Sequence, residues 1–385
     1  MAPYKSAEKT AAISTADDHE TNLQLKDMRL FNFGAFSNVY HGVCESPSLT
    51  SQKEVVVKKT WTRKKASTIP EVIILKTLGR LKHKNIVRLL YFYSKDYEGD
   101  NSCLSLVFEF MSMNLYQYLK MYNRKLPLIE IKMFTWQLFR GQYHLLRISI
   151  AHRDIKPQNL LVNADTGVLK ISDFGSSTVS PRSALQPSYH VTRYYRPPEL
   201  LLGAKSYGCE VDIWSTACVF GEMLRCGILF PGHTTANQAG LIFDAIGKPT
   251  SEERKAMEIS SRKWQELGEG YKPRNGNSSP SSNLKALMPS DVPSEAISIL
   301  AQMLVYKPNS RLHGVDLLTH KFFVQLFSSD PGTRANGKPV NCLSRKDMLE
   351  VKNGDTSFTG TTQSAEAIPE ESKQTKQRKK DRDKD

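Results

Sequence analysis

The chain lacks most features that would place it in or across a membrane. No stretch of its 385 residues approaches the roughly 18 apolar residues in a row that a spanning helix requires. Its N-terminus, MAPYKSAEKTAAIS, has no basic-then-apolar layout, so no secretory leader is expected. Six cysteines (Cys44, Cys103, Cys209, Cys218, Cys226, Cys342) include no CxxC pair and are read as reduced thiols of a cytoplasmic or nuclear protein. No internal repeat is visible. The net charge of +14 raises the question of nucleic acid, but the charges are scattered, with no basic stripe interleaved with aromatics. Neither nucleic acid nor a membrane is therefore expected as a partner. A basic surface also suits acidic or phosphorylated polypeptides.

What remains is an ordinary globular composition, 39% apolar and 24% charged, long enough for one large or two modest domains. Residues 1–24 are small and polar, without apolar periodicity, and are expected to be disordered. The segment 328–385, rich in Gly, Ser, Thr, Lys and Glu and ending KQTKQRKKDRDKD, is expected to be a solvated charged tail. Between them, VYHGVC and EVVVKK are β-branched runs separated by the polar ESPSLTSQK, a hairpin arrangement. IPEVIILKTLGRLK follows as a helix, with Pro70 where a first turn tolerates it. CLSLVFEFM is a further buried strand. From Asn114 the pattern turns mainly helical, and Phe134, Leu138 and Leu145 fall on one helix face. GEGYKPRNGNSSPSS, 268–282, is a loop by composition. A small β-rich lobe followed by a larger helical one would enclose a cleft.

The chemistry is concentrated in AHRDIKPQNLLVN and the LKISDFGSS that follows. Transfer of a γ-phosphoryl group requires positioning and charge neutralisation more than covalent help. Asp154 can accept the proton of an attacking hydroxyl, and Lys156 can reach the transferring phosphate. Asn159 and Asp173 offer oxygens to Mg²⁺, a hard cation that keeps oxygen ligands. Phe174 and Gly175 would place and hinge the loop that carries Asp173. His152 is expected to be a hydrogen-bonded structural residue, not the base. Lys58 directly follows three valines, as a cationic head emerging from a buried strand would. HRD, DFG and a later RPPE at 196–199, in that order, form a specific set.

On these motifs the chain resembles a eukaryotic protein kinase over about residues 25–327. HRDIKPQNLL, SYHVTRYYRPPELLLGAKSYGCEVDIWS, ILFPG and KPNSRL look like the glycogen synthase kinase-3 (shaggy) family. The resemblance implies an α+β, bilobal fold, with an N-lobe over about 25–111 and a C-lobe over about 112–327. It implies serine/threonine phosphorylation of protein substrates with ATP and Mg²⁺, and Lys156 within HRDIKPQN agrees with it. By the same resemblance Lys58 would hold the α- and β-phosphates and Glu71 would pair with it. Phe108 would stand at the back of the adenine pocket. Glu109 and Met111 would offer backbone groups to the base, and Val39, Val56 and Leu161 would be apolar walls. Asp212 would brace the catalytic loop, Glu199 and Arg311 would form a structural ion pair, and Tyr189 would be a regulatory phosphotyrosine.

Departures from the family are instructive. Against its GxGxxGxV loop this chain has Asn32, Gly34 and Ser37, then Val39. If either substituted site needed a glycine-only backbone, the cost would be about 1–3 kcal/mol. The family grips a phosphorylated substrate with three cations, at positions that here hold Pro70, Arg153 and Thr178. Two of the three are absent, so a weaker dependence on priming, or a pocket moved to Lys64, Lys65 or Arg182, is expected. Two other readings stay open: a catalytically poor kinase fold whose C-lobe docks scaffold proteins, favoured by Asn32 and Ser37, and a basic nucleic-acid binder with only net charge behind it.

Overall fold

A computed structural model of the chain describes residues 7–33, 37–46, 53–63, 66–97, 101–183, 192–274 and 278–354. Gly34, Lys64, Lys65 and Tyr189 lie outside the described residues.

The upper lobe is built from β1 (Glu8–Ser14), β2 (Glu20–Phe33), β3 (Ser37–Glu45), β4 (Lys53–Thr62), β5 (Leu89–Tyr97) and β6 (Asn101–Glu109). They close into an antiparallel barrel in the order β1-β2-β3-β4-β6-β5. Period-two alternation decides what each strand offers. In β4, Val55 and Val57 point into the barrel core with Leu23, Leu25, Tyr91, Tyr93 and Val107, which sends Val56 and Lys58 to the opposite face. The expected hairpin is present: β3 pairs with β4, with Val39 opposite Lys58 and His41 opposite Val56.

Helix α1 (Pro70–Leu81) starts with proline at its first position and stops where Lys82 turns left-handed. Its apolar stripe of Val72, Ile74, Leu75 and Leu78 is buried. The lower lobe begins with β7 (Met113–Asn114), α2 (Leu115–Met121) and α3 (Leu128–Arg147), in which Phe134, Leu138 and Leu145 are buried as the spacing predicts. Short strands β8 (Ile150–Ala151), β9 (Leu160–Val162), β10 (Leu169–Ile171) and β11 (Thr178–Val179) follow, β7, β9 and β10 forming the cleft floor. Helices α4 (Pro198–Leu201) and α5 (Val211–Arg225), and others from Thr235–Ile246 to Gly314–Leu318, complete the lobe. The lobes are joined behind the cleft as well as at the connecting segment. Val87 donates to the Ile171 carbonyl and Ile171 to that of Asn85, both at 2.9 Å.

Both ends depart from expectation. Residues 8–14 are not disordered: β1 seals the barrel, with Ala12 buried and Ile13 and Ser14 opposite Phe92 and Tyr91 of β5. A strand whose apolar content is two alanines and one isoleucine leaves no periodic signature; the sheet edges it joins specify it. Likewise, residues 328–354 pack on the lower lobe and carry a helix, Arg345–Lys352. The polarity that suggested solvation is used in pairing. Asp347 takes Arg140 at 2.7 Å and Lys84 at 3.0 Å, and Glu350 takes the other arm of Arg140 at 2.6 Å. Val340, Cys342, Leu343 and Val351 are buried beneath. Residues 355–385 lie outside the described residues.

Burial alone would raise the Asp347 carboxyl, but Lys84, Ser344 and Arg140 bring it below the usual aspartate value. A depressed pKa in the fold means the stabilisation is complete above the unfolded value, about 3.9, and lost as pH falls through the folded one. Asp347→Asn should cost about 1–3 kcal/mol in urea unfolding at pH 7, because Arg140 keeps Glu350. That difference should persist down to about pH 4 and shrink only below it.

Candidate active site

Three elements meet at Lys58. Strand β4 aims its ammonium into the cleft, where Glu71 of α1 accepts it at 2.8 Å and Asp173, from the turn after β10, at 3.0 Å. Glu71 sits in the first turn of α1, where the helix dipole favours a negative charge. Burial would lower the Lys58 pKa, but the two carboxylates outweigh it and raise the value. Burial would raise Asp173, and Lys58 reverses that as well, so its carboxyl lies below the ordinary range. Asp173 has φ 63°, an uncommon conformation for a residue with a side chain. A Cβ on Gly175 would lie 3.4 Å from Asp173 Oδ1 and 3.7 Å from both Glu71 Oε2 and Lys58 Nζ. A Cβ there would thus be in ordinary contact with all three charged side chains.

Asp154 is the second focus. Its Oδ2 accepts Lys156 Nζ at 2.6 Å and Asn159 Nδ2 at 2.9 Å, and its Oδ1 accepts the Thr192 hydroxyl at 2.7 Å. The Asn159 amide nitrogen also donates to the Asp154 carbonyl at 2.8 Å, which turns its oxygen the other way. The Asn159 carbonyl in turn accepts the backbone N–H and the hydroxyl of Ser172, each at 2.9 Å. Ser172 precedes Asp173, so the two expected metal ligands are held on one backbone frame.

His152 is not a free base. Its Nε2 faces the Ser172 carbonyl at 2.9 Å, and its Nδ1 accepts the Asp154 N–H at 3.2 Å. The ring thus carries its proton on Nε2 and spends both nitrogens on backbone. It meets Phe174 edge-on, centroids 5.0 Å apart. Asp212 of α5 accepts the backbone N–H of His152 (2.6 Å) and of Arg153 (2.9 Å). Complete burial pushes the Asp212 carboxyl up, and these donors and nearby cations oppose it. They also hold Arg153 at φ 68°. Glu199 and Arg311 form a two-pronged pair at 2.8 and 2.7 Å, both buried, with the guanidinium 5.3 Å above the Trp214 ring.

The cleft between the lobes has Val39 and Val56 in its roof and Leu161 in its floor, where β9 pairs with β10 and β7. Phe108 lies opposite Val56. The Glu109 carboxylate binds Lys170 Nζ at 2.7 Å and the Arg88 N–H at 2.8 Å, anchoring the connecting segment to the floor. Met111, also expected there, is buried just beyond. Asn32 pairs with Val39, Ser37 with Thr60, and neither has a positive φ. The feared cost of glycine-only geometry is therefore not incurred at either site. Asn32 also caps its neighbour, its Oδ1 accepting the Phe33 N–H at 2.9 Å.

The donor set fits a nucleotide with its metal. Lys58 offers a cation, Asp173 a half-exposed carboxylate and Asn159 an amide oxygen. Among the described residues no cluster of three His, Cys, Asp or Glu could hold an ion alone. A magnesium ion held by two such oxygens would keep phosphate and water at its other positions. Sequence reasoning did not single out Thr192, which both donates to Asp154 and accepts from Lys156 at 3.2 Å. Its position beside the RYYRPPE run was the available signal.

Comparison with known proteins agrees with this geometry. Residues 26–323 match the protein kinase domain. The chain is 33% identical over 326 residues to "Protein kinase gsk3" of Schizosaccharomyces pombe, covering 84% of this chain and 78% of that one.

The charge cluster makes a direct prediction. Lys58→Met removes what holds Asp173 down and leaves the burial that raises it, so the Asp173 carboxyl should titrate higher by carbon-13 NMR. An unchanged titration would mean that Lys58 does not set the charge of this site.

Proposed function

This chain belongs to the glycogen synthase kinase-3 family of protein kinases, and from that membership we propose that it transfers the γ-phosphoryl group of Mg-ATP to serine and threonine hydroxyls of proteins. The observation that carries this reading is the convergence of Lys156, Asn159 and Thr192 on the Asp154 carboxylate beside the Lys58–Glu71–Asp173 cluster. Bound Mg-ATP supplies the phosphoryl group and the metal charge. Lys58, kept charged by its two carboxylates, holds the phosphate tail. Asp173 and Asn159 present oxygens to the metal. Asp154 accepts the hydrogen bond of the acceptor hydroxyl and aims its oxygen at the phosphorus. Lys156 neutralises charge on the transferring group, and Thr192 fixes Asp154 and Lys156 relative to each other.

The substrate groove supports a reduced need for a prephosphorylated partner. Pro70 and Thr178 bring no charge. Arg153 donates to the Ser176 carbonyl at 2.6 Å and to the Tyr207 hydroxyl at 3.3 Å. Arg182, one of the expected replacements, is engaged by Glu210 and Asn309, each at 3.2 Å. An added substrate phosphate would have to compete for these cations.

Asp154→Asn should lower peptide phosphorylation by about 10²-fold or more while Mg-ATP still raises the melting temperature of the variant. Asp173→Asn should lose both transfer and most of that stabilisation. Unprimed peptide should be turned over nearly as fast as the same peptide carrying phosphoserine four residues after the acceptor. Stabilisation by Mg-ATP without transfer by the unmodified chain would favour a docking scaffold.

A further inference from the structure

Three aromatic rings from separate elements meet at the outer end of the nucleotide cleft. His41 of β3 and Phe110, which follows β6, lie with centroids 4.3 Å apart and planes at 39°. Phe31 of β2 approaches both, each at 6.2 Å, edge-on to Phe110. Phe31 reaches there through a bulge. Leu30 pairs with Tyr40 and Asn32 with Val39, so Phe31 is the extra residue on its strand. A bulge beside a site re-aims a side chain. Its ring is not part of the barrel core, for Phe31 is 48% exposed. His41 lies on the cleft face with Val39, opposite Val56, so the roof ends in this ring.

The far side of the contact is fixed. Phe110 follows Glu109, whose carboxylate holds Lys170 of the floor and the Arg88 N–H, and whose own N–H donates to the Arg88 carbonyl at 3.3 Å. An outward swing of β2 and β3 would have to separate Phe31 and His41 from an anchored ring.

We propose that His41 and Phe110, with Phe31, act as positioning residues that latch the cleft roof to the connecting segment and so set how tightly nucleotide is retained. The inference rests on the kinase reading above and adds to it a cause of retention independent of loop glycines. Rings in such edge-on and offset arrangements interact by an amount equivalent to about a two- to tenfold change in an equilibrium constant. All three act through ring contacts with one another, so the chemical step is left alone.

The test uses the full-length chain with Phe110→Ala, His41→Gln and Phe110→Tyr, Mg-ADP binding by calorimetry, and steady-state phosphorylation of one peptide. The first two variants should bind ADP and saturate with ATP about two- to tenfold more weakly, with kcat unchanged or higher. Phe110→Tyr, which keeps the ring, should restore both constants. If Phe110→Ala melts well below the parent without nucleotide, His41→Gln decides alone. The proposal is overturned if ADP affinity stays at the parent value in the variants, or if kcat falls in step with affinity. A parent chain that binds Mg-ADP yet transfers nothing overturns the kinase reading and not the latch. A parent that binds no Mg-ADP overturns both.

Discussion

The ammonium of Lys58 is the point on which the two lobes agree. It is reached by a strand of the upper lobe, by the first turn of α1 and by a turn of the lower lobe, and it satisfies a carboxylate from each of the last two. A cation taken out of water is costly alone, and two carboxylates crowded together are costlier still. Each side therefore needs the other, and the arrangement exists only when β4, α1 and the 173–175 turn are in register. On the proposed function, the phosphates of a nucleotide would meet a positive charge held in place by these two carboxylates.

The lower lobe solves a related problem with buried carboxylates. Asp212 is fully enclosed, and its partners are two backbone N–H groups of the segment that carries Asp154. Arg153 and Asp173 occupy left-handed backbone regions, at φ 68° and 63°. Such conformations persist only where surrounding bonds over-determine them. Asp212 does so for Arg153, while the Ser172–Asn159 bonds and the seating of Phe174 against His152 do so for Asp173. At these two places strained backbone and a buried carboxylate serve to fix the segments that carry Asp154 and Asp173. Glu199 and Arg311 hold the next layer without touching the cleft.

Much of this was legible because local signals and global fold agreed. The valine run predicts a strand that throws Lys58 to one face, and Pro70 marks the helix start that positions Glu71. HRDIKPQN and DFG carry their roles in their spacing. β1 was illegible because EKTAAIS contributes almost nothing by itself; its pairing with β2 and β5 supplies the specification. Residues 328–354 misled for the opposite reason. Asp347, Glu350, Arg334 and Lys338 read as solvating charges until their partners, Arg140, Lys84 and the 164–165 carbonyls and carboxylate, are brought near by the fold. Thr192 was missed because its nearness to the RYYRPPE run is a weak signal alone; its contacts with Asp154 and Lys156 in space give it a role.

Position 70 shows how a single site can serve two demands that exclude each other. A cation there would reach an incoming substrate phosphate, as the family resemblance implies. A proline there fixes the first helical φ and lacks an N–H that would be unpaired anyway, so it preorganises the turn bearing Glu71. This chain has proline, and the Lys58–Glu71 contact forms at 2.8 Å. The same bias runs through the cleft: Asn32 secures its own neighbour, Glu109 ties the connecting segment down, and aromatic rings meet across the mouth. Each of these replaces an adjustable feature with a fixed one. Contacts that hold these elements to one another leave fewer of their positions to be set by whatever binds between them.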